Sequence, residues 1–213
     1  MEIGDVEIEW LGHSGFFIKN SDNKVIYIDT EGGFSVERVK QIAGEDYEKV
    51  LGNILLLKPT DFSEQEESFE KLLKEIKSTS ISLIIVDGMT MLYRLELAEA
   101  RKKKDEREID DINSELAKML RVLAEISRTR NIPVLITNQV YSEFMNEEDF
   151  KKGREKEYRM VGGDLLKYWS KCLIELKLEK GKRKIIVRKH RSLPEKEMEF
   201  VIANQGVRKK GWI

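Results

Sequence analysis

Between residues 25 and 138 short apolar runs alternate with amphipathic segments, and this alternation constrains the fold more than any other feature. The apolar runs are Val25–Asp29, Asn53–Leu57, Ile81–Val86 and Pro133–Thr137. Strands separated by helices must pair in parallel, because each crossover needs about a dozen residues or more. Continuous apolar runs are also typical of strands that are covered on both faces. The pattern therefore predicts an α/β fold with a mostly parallel sheet covered by helices.

The segments between these runs carry apolar residues at helical spacing. The first stripe is Val36, Val39 and Ile42; the second is Phe69, Leu72, Leu73 and Ile76; the third is Ile112, Leu116, Met119, Leu120, Leu123 and Ile126. Ser63 and Glu66 have the spacing of a capping box at the start of the second helix. The charged stretch 101–111 is interpreted as the solvated start of the third helix.

The end of the chain has a different pattern. Cys172–Leu178 and Lys184–His190 flank a four-residue segment, 179–182, that contains a glycine, which is a hairpin signal. Glu199–Ala203 has the composition of a further strand. We therefore expect an antiparallel C-terminal hairpin at the edge of the parallel sheet.

Composition excludes several classes of protein. The 213 residues suit one large domain, alone or with a small appendage. The 38 Lys and Arg against 39 Asp and Glu give a net charge of −1, which argues against a basic coat for nucleic acid. A single cysteine, Cys172, excludes an intramolecular disulfide and a multi-cysteine zinc site. The short apolar runs and the acidic start favour a soluble, cytoplasmic protein.

Polar side chains follow three of the predicted strands. They are Asp29–Gly33, Asp87 and Asn138–Gln139. In an open α/β sheet, ligands bind beyond the carboxyl ends of the strands. An Asp that follows four apolar residues, as Asp87 does, is typical of a Walker B motif and can hold Mg²⁺ through water. Glu31 is placed to orient an attacking water, and Gln139 to sense a terminal phosphate. Taken singly, Asp87 could equally cap a helix, and Glu31 could be a solvated loop residue.

Residues from about 25 to 207 resemble the ATPase core of the RecA/RadA superfamily, and most of all the archaeal RadB proteins. The matching stretches are Tyr27–Arg38, Ile84–Asp87, Ile132–Val140 and Lys189–Arg191. The resemblance implies a RecA-type fold and a role in DNA recombination or repair. It also implies ATP and Mg²⁺ as cofactors, with DNA and a RecA/RadA-type recombinase, or a second copy of the chain, as partners. By position, Glu31 would be the catalytic glutamate, Asp87 the Walker B aspartate and Gln139 the residue that couples nucleotide state to a DNA-facing loop.

Two departures from the family pattern bear on ATP chemistry. The recombinases usually have Ser after the Walker B aspartate, and this chain has Gly88. No Gly-Lys-Ser or Gly-Lys-Thr of a P-loop occurs in the sequence, and only 24 residues precede Val25, the position before which the family has its P-loop. We therefore expect impaired ATP chemistry. The alternative is a RecA-like interaction scaffold that works without nucleotide.

The first 24 residues resemble the opening hairpin of metallo-β-lactamase-fold hydrolases, on Glu9–Ile18 running into Val25–Asp29. Metal-dependent hydrolysis of that kind is excluded, because His13 and His190 are the only histidines in the sequence. Residues 1–24 are interpreted as a β segment of foreign origin, from a gene fusion, an engineered chimera or a sequence-assembly join, and residues 25–213 as the RecA-like core. We expect Val6–Trp10 to occupy the place of the missing P-loop strand in the parallel sheet.

Positive charge is concentrated near the C-terminus. Residues 177–191 contain eight Lys and Arg and one acid, Glu179. Such a hairpin can bind phosphates without reading sequence, or it can be a solvated edge protected from aggregation by lysines. With the resemblance added, the predicted DNA contacts are Lys182, Arg183, Lys184, Arg188, Lys189, His190 and Arg191. The polar stretch 141–160 matches the place of the second DNA-binding loop of recombinases.

Overall fold

A computed structural model describes residues 2–3, 6–10, 16–19, 24–142, 158–204 and 206–211. Its central sheet contains four parallel strands, and their order across the sheet is β5-β4-β6-β7. These strands are β4 (Lys24–Asp29), β5 (Ile54–Leu57), β6 (Ile81–Asp87) and β7 (Val134–Ile136). The predicted parallel α/β fold is confirmed.

Helices connect the strands of this sheet, and within the described residues the helices of the larger core lie on one face. The helices are α1 (Val36–Ala43), α2 (Tyr47–Gly52), α3 (Phe62–Ser78), α4 (Met91–Lys103), α5 (Glu106–Arg130) and α6 (Gly163–Trp169), with a 3₁₀ turn at Gly44–Asp46. The larger core lies on one face, where Ile26, Ile28 and Ile84 pack against the apolar stripes of α3, α4 and α5. The other face contributes Tyr27 and Ile85 to a smaller cluster. Within the described ranges, no helix has both the length and the apolarity of a membrane span.

Two helix starts differ from the sequence interpretation. The N-cap of α3 is Asp61, whose carboxylate accepts a hydrogen bond from the Glu64 amide at 2.8 Å, while the Glu64 carboxylate accepts from the Thr60 amide at 2.7 Å. The capping interaction therefore lies two residues before the predicted one. The charged stretch 101–111 spans the end of α4 and the start of α5, because Lys104 adopts a left-handed conformation and Asp105 caps the new helix.

The C-terminal strands form a four-stranded antiparallel sheet with the order β10-β11-β12-β13. The strands are β10 (Leu173–Glu179), β11 (Lys182–Lys189), β12 (Lys196–Ala203) and β13 (Gly206–Lys209). The predicted hairpin is confirmed, with its turn at Lys180 and Gly181, which both have positive φ. The predicted position of this hairpin, at the edge of the parallel sheet, was wrong. Among the described residues this sheet is separate, because β10 pairs with β11 and with no strand of the parallel sheet.

The strand Val6–Trp10 does not enter the parallel sheet, so that prediction was wrong for the described residues. β1 (Glu2–Ile3), β2 (Val6–Trp10) and β3 (Phe16–Lys19) form their own antiparallel sheet. Strands that are close in sequence, such as those that place Trp10 opposite Phe16, pair at a lower cost in loop-closure entropy than strands that are far apart. A two-stranded ladder joins β8 (Val140–Ser142) to β9 (Tyr158–Met160), and the rest of the predicted DNA-binding loop, 143–157, lies outside the described residues.

Candidate active site at the strand ends

Asp87 ends the buried central strand β6 and is itself only 1% exposed. Its Oδ2 accepts a hydrogen bond from the Tyr27 hydroxyl at 2.8 Å, and its Oδ1 accepts one from the Thr137 hydroxyl at 2.6 Å. These donors come from β4 and from the end of β7, on either side of β6. The carboxylate is therefore fixed between its neighbouring strands. It does not cap α4, whose N-cap residue is Thr90.

The surroundings of Asp87 perturb its ionisation. Burial raises the pKa of the Asp87 carboxyl, while the hydrogen bonds from Thr137 and Tyr27 act in the opposite direction. Burial and the adjacent Asp87 charge raise the pKa of the Tyr27 phenol far above its usual range, so Tyr27 remains a donor. A partly desolvated carboxylate of this kind gains free energy from a nearby cation.

Glu31 and Gln139 meet at the same edge of the sheet. The Gln139 side chain donates from Nε2 to Glu31 Oε1 at 2.9 Å, which joins the ends of β4 and β7 across β6. The structure thus brings together Glu31, Asp87 and Gln139, the three residues that the sequence placed at strand ends. Roles in catalysis or coupling remain predictions.

The end of β7 is also tied to the segment that follows β9. The Gln139 carbonyl accepts a hydrogen bond from the Val161 amide at 3.2 Å, and the Asn138 side chain donates to the Val161 carbonyl at 2.8 Å. The Thr90 hydroxyl in turn donates to the Asn138 side-chain oxygen. A continuous set of hydrogen bonds therefore runs from Glu31 to the base of the β8–β9 ladder.

Asp29 shapes the loop that carries Glu31. Its carboxylate oxygens accept hydrogen bonds from the backbone amides of Gly33 and Phe34, at 3.1 and 3.0 Å. These two hydrogen bonds close the turn after β4, and each carboxylate oxygen of Asp29 accepts one of them. Asp29 therefore acts on the loop conformation, whereas Glu31 projects towards Gln139.

Sequence reasoning missed Tyr27 and Thr137 as partners of Asp87. A signal for Tyr27 was present, because a buried phenol needs a hydrogen-bond partner and the neighbouring strand ends in an aspartate. Thr137 directly precedes the Asn-Gln pair at the end of β7, where a polar side chain replaces the apolar run.

The two carboxylates at the strand ends have only neutral side-chain partners in the part of the chain that the structure describes. The side chains that contact Asp87 and Glu31 through hydrogen bonds, Tyr27, Thr137 and Gln139, are all neutral. Asp87 is the residue that would hold a hydrated Mg²⁺ through its water shell, and this role remains a prediction. Among the described residues, no group of three or more His, Cys, Asp or Glu is arranged to hold a metal directly. The charge of a triphosphate would meet carboxylates without a compensating cation from these contacts.

Four of the eight cations in residues 177–191 are paired with acids of the same sheet or of the segment just before β12. Lys182 pairs with Glu199 at 3.0 Å, and Lys184 pairs with Glu179 at 3.0 Å. Between them, Lys177 and Lys184 lower the pKa of Glu179 to about 2. Arg188 pairs with Glu175 and Glu195. The count over residues 177–191 included Glu179 but overlooked Glu175, Glu199 and Glu195, which belong to β10, to β12 and to the residue just before β12.

The remaining predicted DNA contacts differ from one another. Lys189 donates to the Lys167 carbonyl at 2.5 Å, and His190 Nδ1 accepts from the amides of Ser192 and Leu193. Arg183 and Arg191 are exposed and make no side-chain hydrogen bond or ion pair within the described part of the chain. DNA binding by this hairpin remains a prediction, and these two arginines are its best-placed cations.

Comparison with known proteins identifies the family. Residues 16–210 match the model of the Rad51 family. The chain belongs to the Rad51 family. A RadB protein of Methanocaldococcus jannaschii, named a DNA repair and recombination protein, is 39% identical over 202 residues, which cover 92% of this chain and 87% of that protein. RadB of Methanobrevibacter smithii is 37% identical over 195 residues, 89% of this chain and 77% of the relative.

This membership confirms the RadB-like resemblance and the RecA-type fold. A third RadB, from Methanothermobacter thermautotrophicus, is 33% identical over 187 residues, covering 85% of this chain and 74% of that protein. The family match starts at residue 16, inside the segment that was interpreted as foreign, and the division at residue 24 remains a proposal.

Proposed function

We propose that the chain acts in DNA repair and recombination as a RadB-like member of the Rad51 family, and that it binds DNA without reading its sequence. The names of its relatives describe DNA repair and recombination proteins, and their similarity covers most of this chain. The partners in this proposal are DNA and either a RecA/RadA-type recombinase or a second copy of the chain. A cytoplasmic location is part of the same proposal.

The observation that carries the proposal is the hydrogen-bonded connection from Glu31 through Gln139 to Val161. It joins the Glu31 carboxylate to the β8–β9 ladder, which brackets the stretch in the place of a recombinase DNA-binding loop. A RecA-type core of this kind can report the state of the strand-end site to a DNA-facing segment. Gln139 is the proposed coupling residue.

In the proposed function, nucleotide chemistry is weak. Asp87 would hold hydrated Mg²⁺, and Glu31 would orient a water once it is released from Gln139. In phosphoryl transfer, most of the catalysis comes from positioning the phosphates and stabilising their charge, and the sequence of this chain contains no P-loop lysine for that task. ATP and Mg²⁺ would therefore be weak ligands of this polypeptide.

The test is fluorescence anisotropy of labelled oligonucleotides with the whole chain. Two unrelated sequences, each single- and double-stranded, are compared between about 50 and 200 mM salt, where contacts to phosphates lose affinity steeply. We expect equal affinity for both sequences and a negative slope of log affinity against log salt. Absence of DNA binding at the lowest salt would overturn the proposal and favour the alternative, an interaction scaffold that works without nucleotide.

A further inference from the structure

Gly88 lies directly under the Glu31 side chain, in the turn after β6. Its φ is +86°, a conformation that favours glycine. A Cβ built at this position would lie 2.7 Å from Glu31 Cγ and 2.5 Å from Thr30 Oγ1. Real Cβ atoms do not approach other heavy atoms so closely, so any side chain at 88 would displace Thr30, Glu31 or both.

Thr30 has little freedom to move away. Its hydroxyl lies 2.9 Å from the Asp87 carbonyl oxygen and 2.8 Å from the Gly88 carbonyl oxygen, so its single proton is shared between them. Its amide also donates to the Asp87 carbonyl at 3.1 Å. A side chain at 88 would therefore keep its close contact with Thr30, and the group that is free to move away is Glu31, which is exposed and held by one side-chain hydrogen bond, from Gln139.

The other side of Gly88 is fixed as well. Its amide donates to the Thr137 hydroxyl oxygen at 2.8 Å, and the same hydroxyl donates to Asp87. The turn is thus locked to β7, and it cannot move aside to make room. Space for Glu31 exists only because residue 88 has no side chain.

We propose that Gly88 is a positioning residue for Glu31: by leaving the space of a Cβ empty, it allows the Glu31 carboxylate to reach Gln139 and so fixes the link from the strand ends to Val161. This role goes beyond DNA binding and holds whether or not the chain binds DNA.

The test compares Gly88→Ala with Gly181→Ala in the whole chain. Gly181 lies in the turn between β10 and β11 and has a φ of +76°, but a Cβ at that position would have no heavy atom within 4 Å. Both variants therefore carry the backbone strain of a positive φ, and only Gly88→Ala pushes on Glu31. Hydrogen exchange of the Val161 amide and the NMR signals of the Gln139 side-chain amide report on the link.

We expect Gly88→Ala, and also Glu31→Ala alone, to shift the Gln139 side-chain signals and to speed exchange at Val161 about tenfold, as expected for loss of a hydrogen bond to a charged group. Gly181→Ala should do neither. In a background that carries both Thr30→Ala and Glu31→Ala, Gly88→Ala should add less than about twofold, because both side chains that the new Cβ would meet are already absent. Equal effects of the two glycine variants, or the full effect of Gly88→Ala without Glu31, would overturn the proposal.

If Gly88→Ala does not fold, the same idea is tested by rescue. Adding Glu31→Ala and Thr30→Ala removes the side chains that the new Cβ would meet. Recovery of a cooperative thermal transition in the triple variant supports the proposal. A chain that remains unfolded after both side chains are removed overturns it, because the defect then lies in the backbone of the turn.

Discussion

Replacing Tyr27 by phenylalanine removes one of the two side-chain donors that hold the Asp87 carboxylate. The ring remains, so its edge-on contact with Phe34, with centroids 5.2 Å apart, is kept. The hydrogen bond to Asp87 Oδ2 is lost, and a buried carboxylate keeps one fewer donor. Because hydrogen bonds to charged groups contribute about 1.5–3 kcal/mol, Tyr27→Phe should lower the free energy of unfolding at pH 7 by about that amount.

A matched control is Tyr93→Phe. Tyr93 is also buried, and its hydroxyl donates to the Asn113 side-chain oxygen at 2.8 Å. The acceptor is neutral, so loss of this hydrogen bond should cost about 0.5–1.5 kcal/mol and should not depend on the ionisation of an acid. Urea unfolding of both variants and of the wild type gives the two costs.

The pH dependence separates the two mechanisms. Burial raises the pKa of Asp87 in the folded state above its pKa in the unfolded chain. The free energy of unfolding therefore falls as the pH rises from the unfolded-state pKa through the folded-state pKa. Tyr27→Phe raises that pKa further, because the lost bond favoured the charged form. Its extra cost over Tyr93→Phe should therefore be largest at pH 7 and shrink towards pH 4. A difference between the variants that is absent, or constant with pH, would refute the role of Tyr27.

Three further predictions concern the strand ends and the hairpin. Thr137→Val removes the hydroxyl that donates to Asp87 and should cost about 2–3 kcal/mol in urea unfolding; a cost below about 0.5 kcal/mol would contradict it. If the chain binds DNA, the double variant Arg183→Ala, Arg191→Ala should make the slope of log affinity against log salt concentration less negative by about two. The control Lys184→Ala, which removes an ammonium that is already ion-paired, should change this slope little. Calorimetric titration with ATP and Mg²⁺ should show weak binding, and a phosphate-release assay should show no turnover. Micromolar affinity for ATP that disappears in Asp87→Ala would contradict this prediction.

The parallel sheet was predictable because its strands are apolar throughout and its helices have strong stripes. β6 is buried at all seven positions, and the stripe Ile112–Ile126 lies in the core as predicted. The site residues followed from topology, since Glu31, Asp87 and Gln139 all stand at carboxyl ends of parallel strands. The carboxyl ends of parallel strands all lie at the same end of the sheet.

Other features depend on contacts that are distant in sequence. The paired state of the hairpin cations required the register of β11 against β12, which places Lys184 opposite Glu199 and next to Glu197. The break at Lys104 rests on a left-handed residue that is not a glycine, so the sequence carries no clear signal for it. The crowding around Gly88 likewise appears only once β4 and β6 are aligned.

The most direct test of the account is an NMR titration of the whole chain with an oligonucleotide that it binds. Saturation should shift the Gln139 side-chain amide and the Val161 amide, because both belong to the link between the strand ends and the β8–β9 ladder. The Asn113 side-chain amide, whose oxygen accepts from Tyr93, should stay unchanged as an internal control. Saturating DNA binding that leaves Gln139 and Val161 at their free positions would contradict the account.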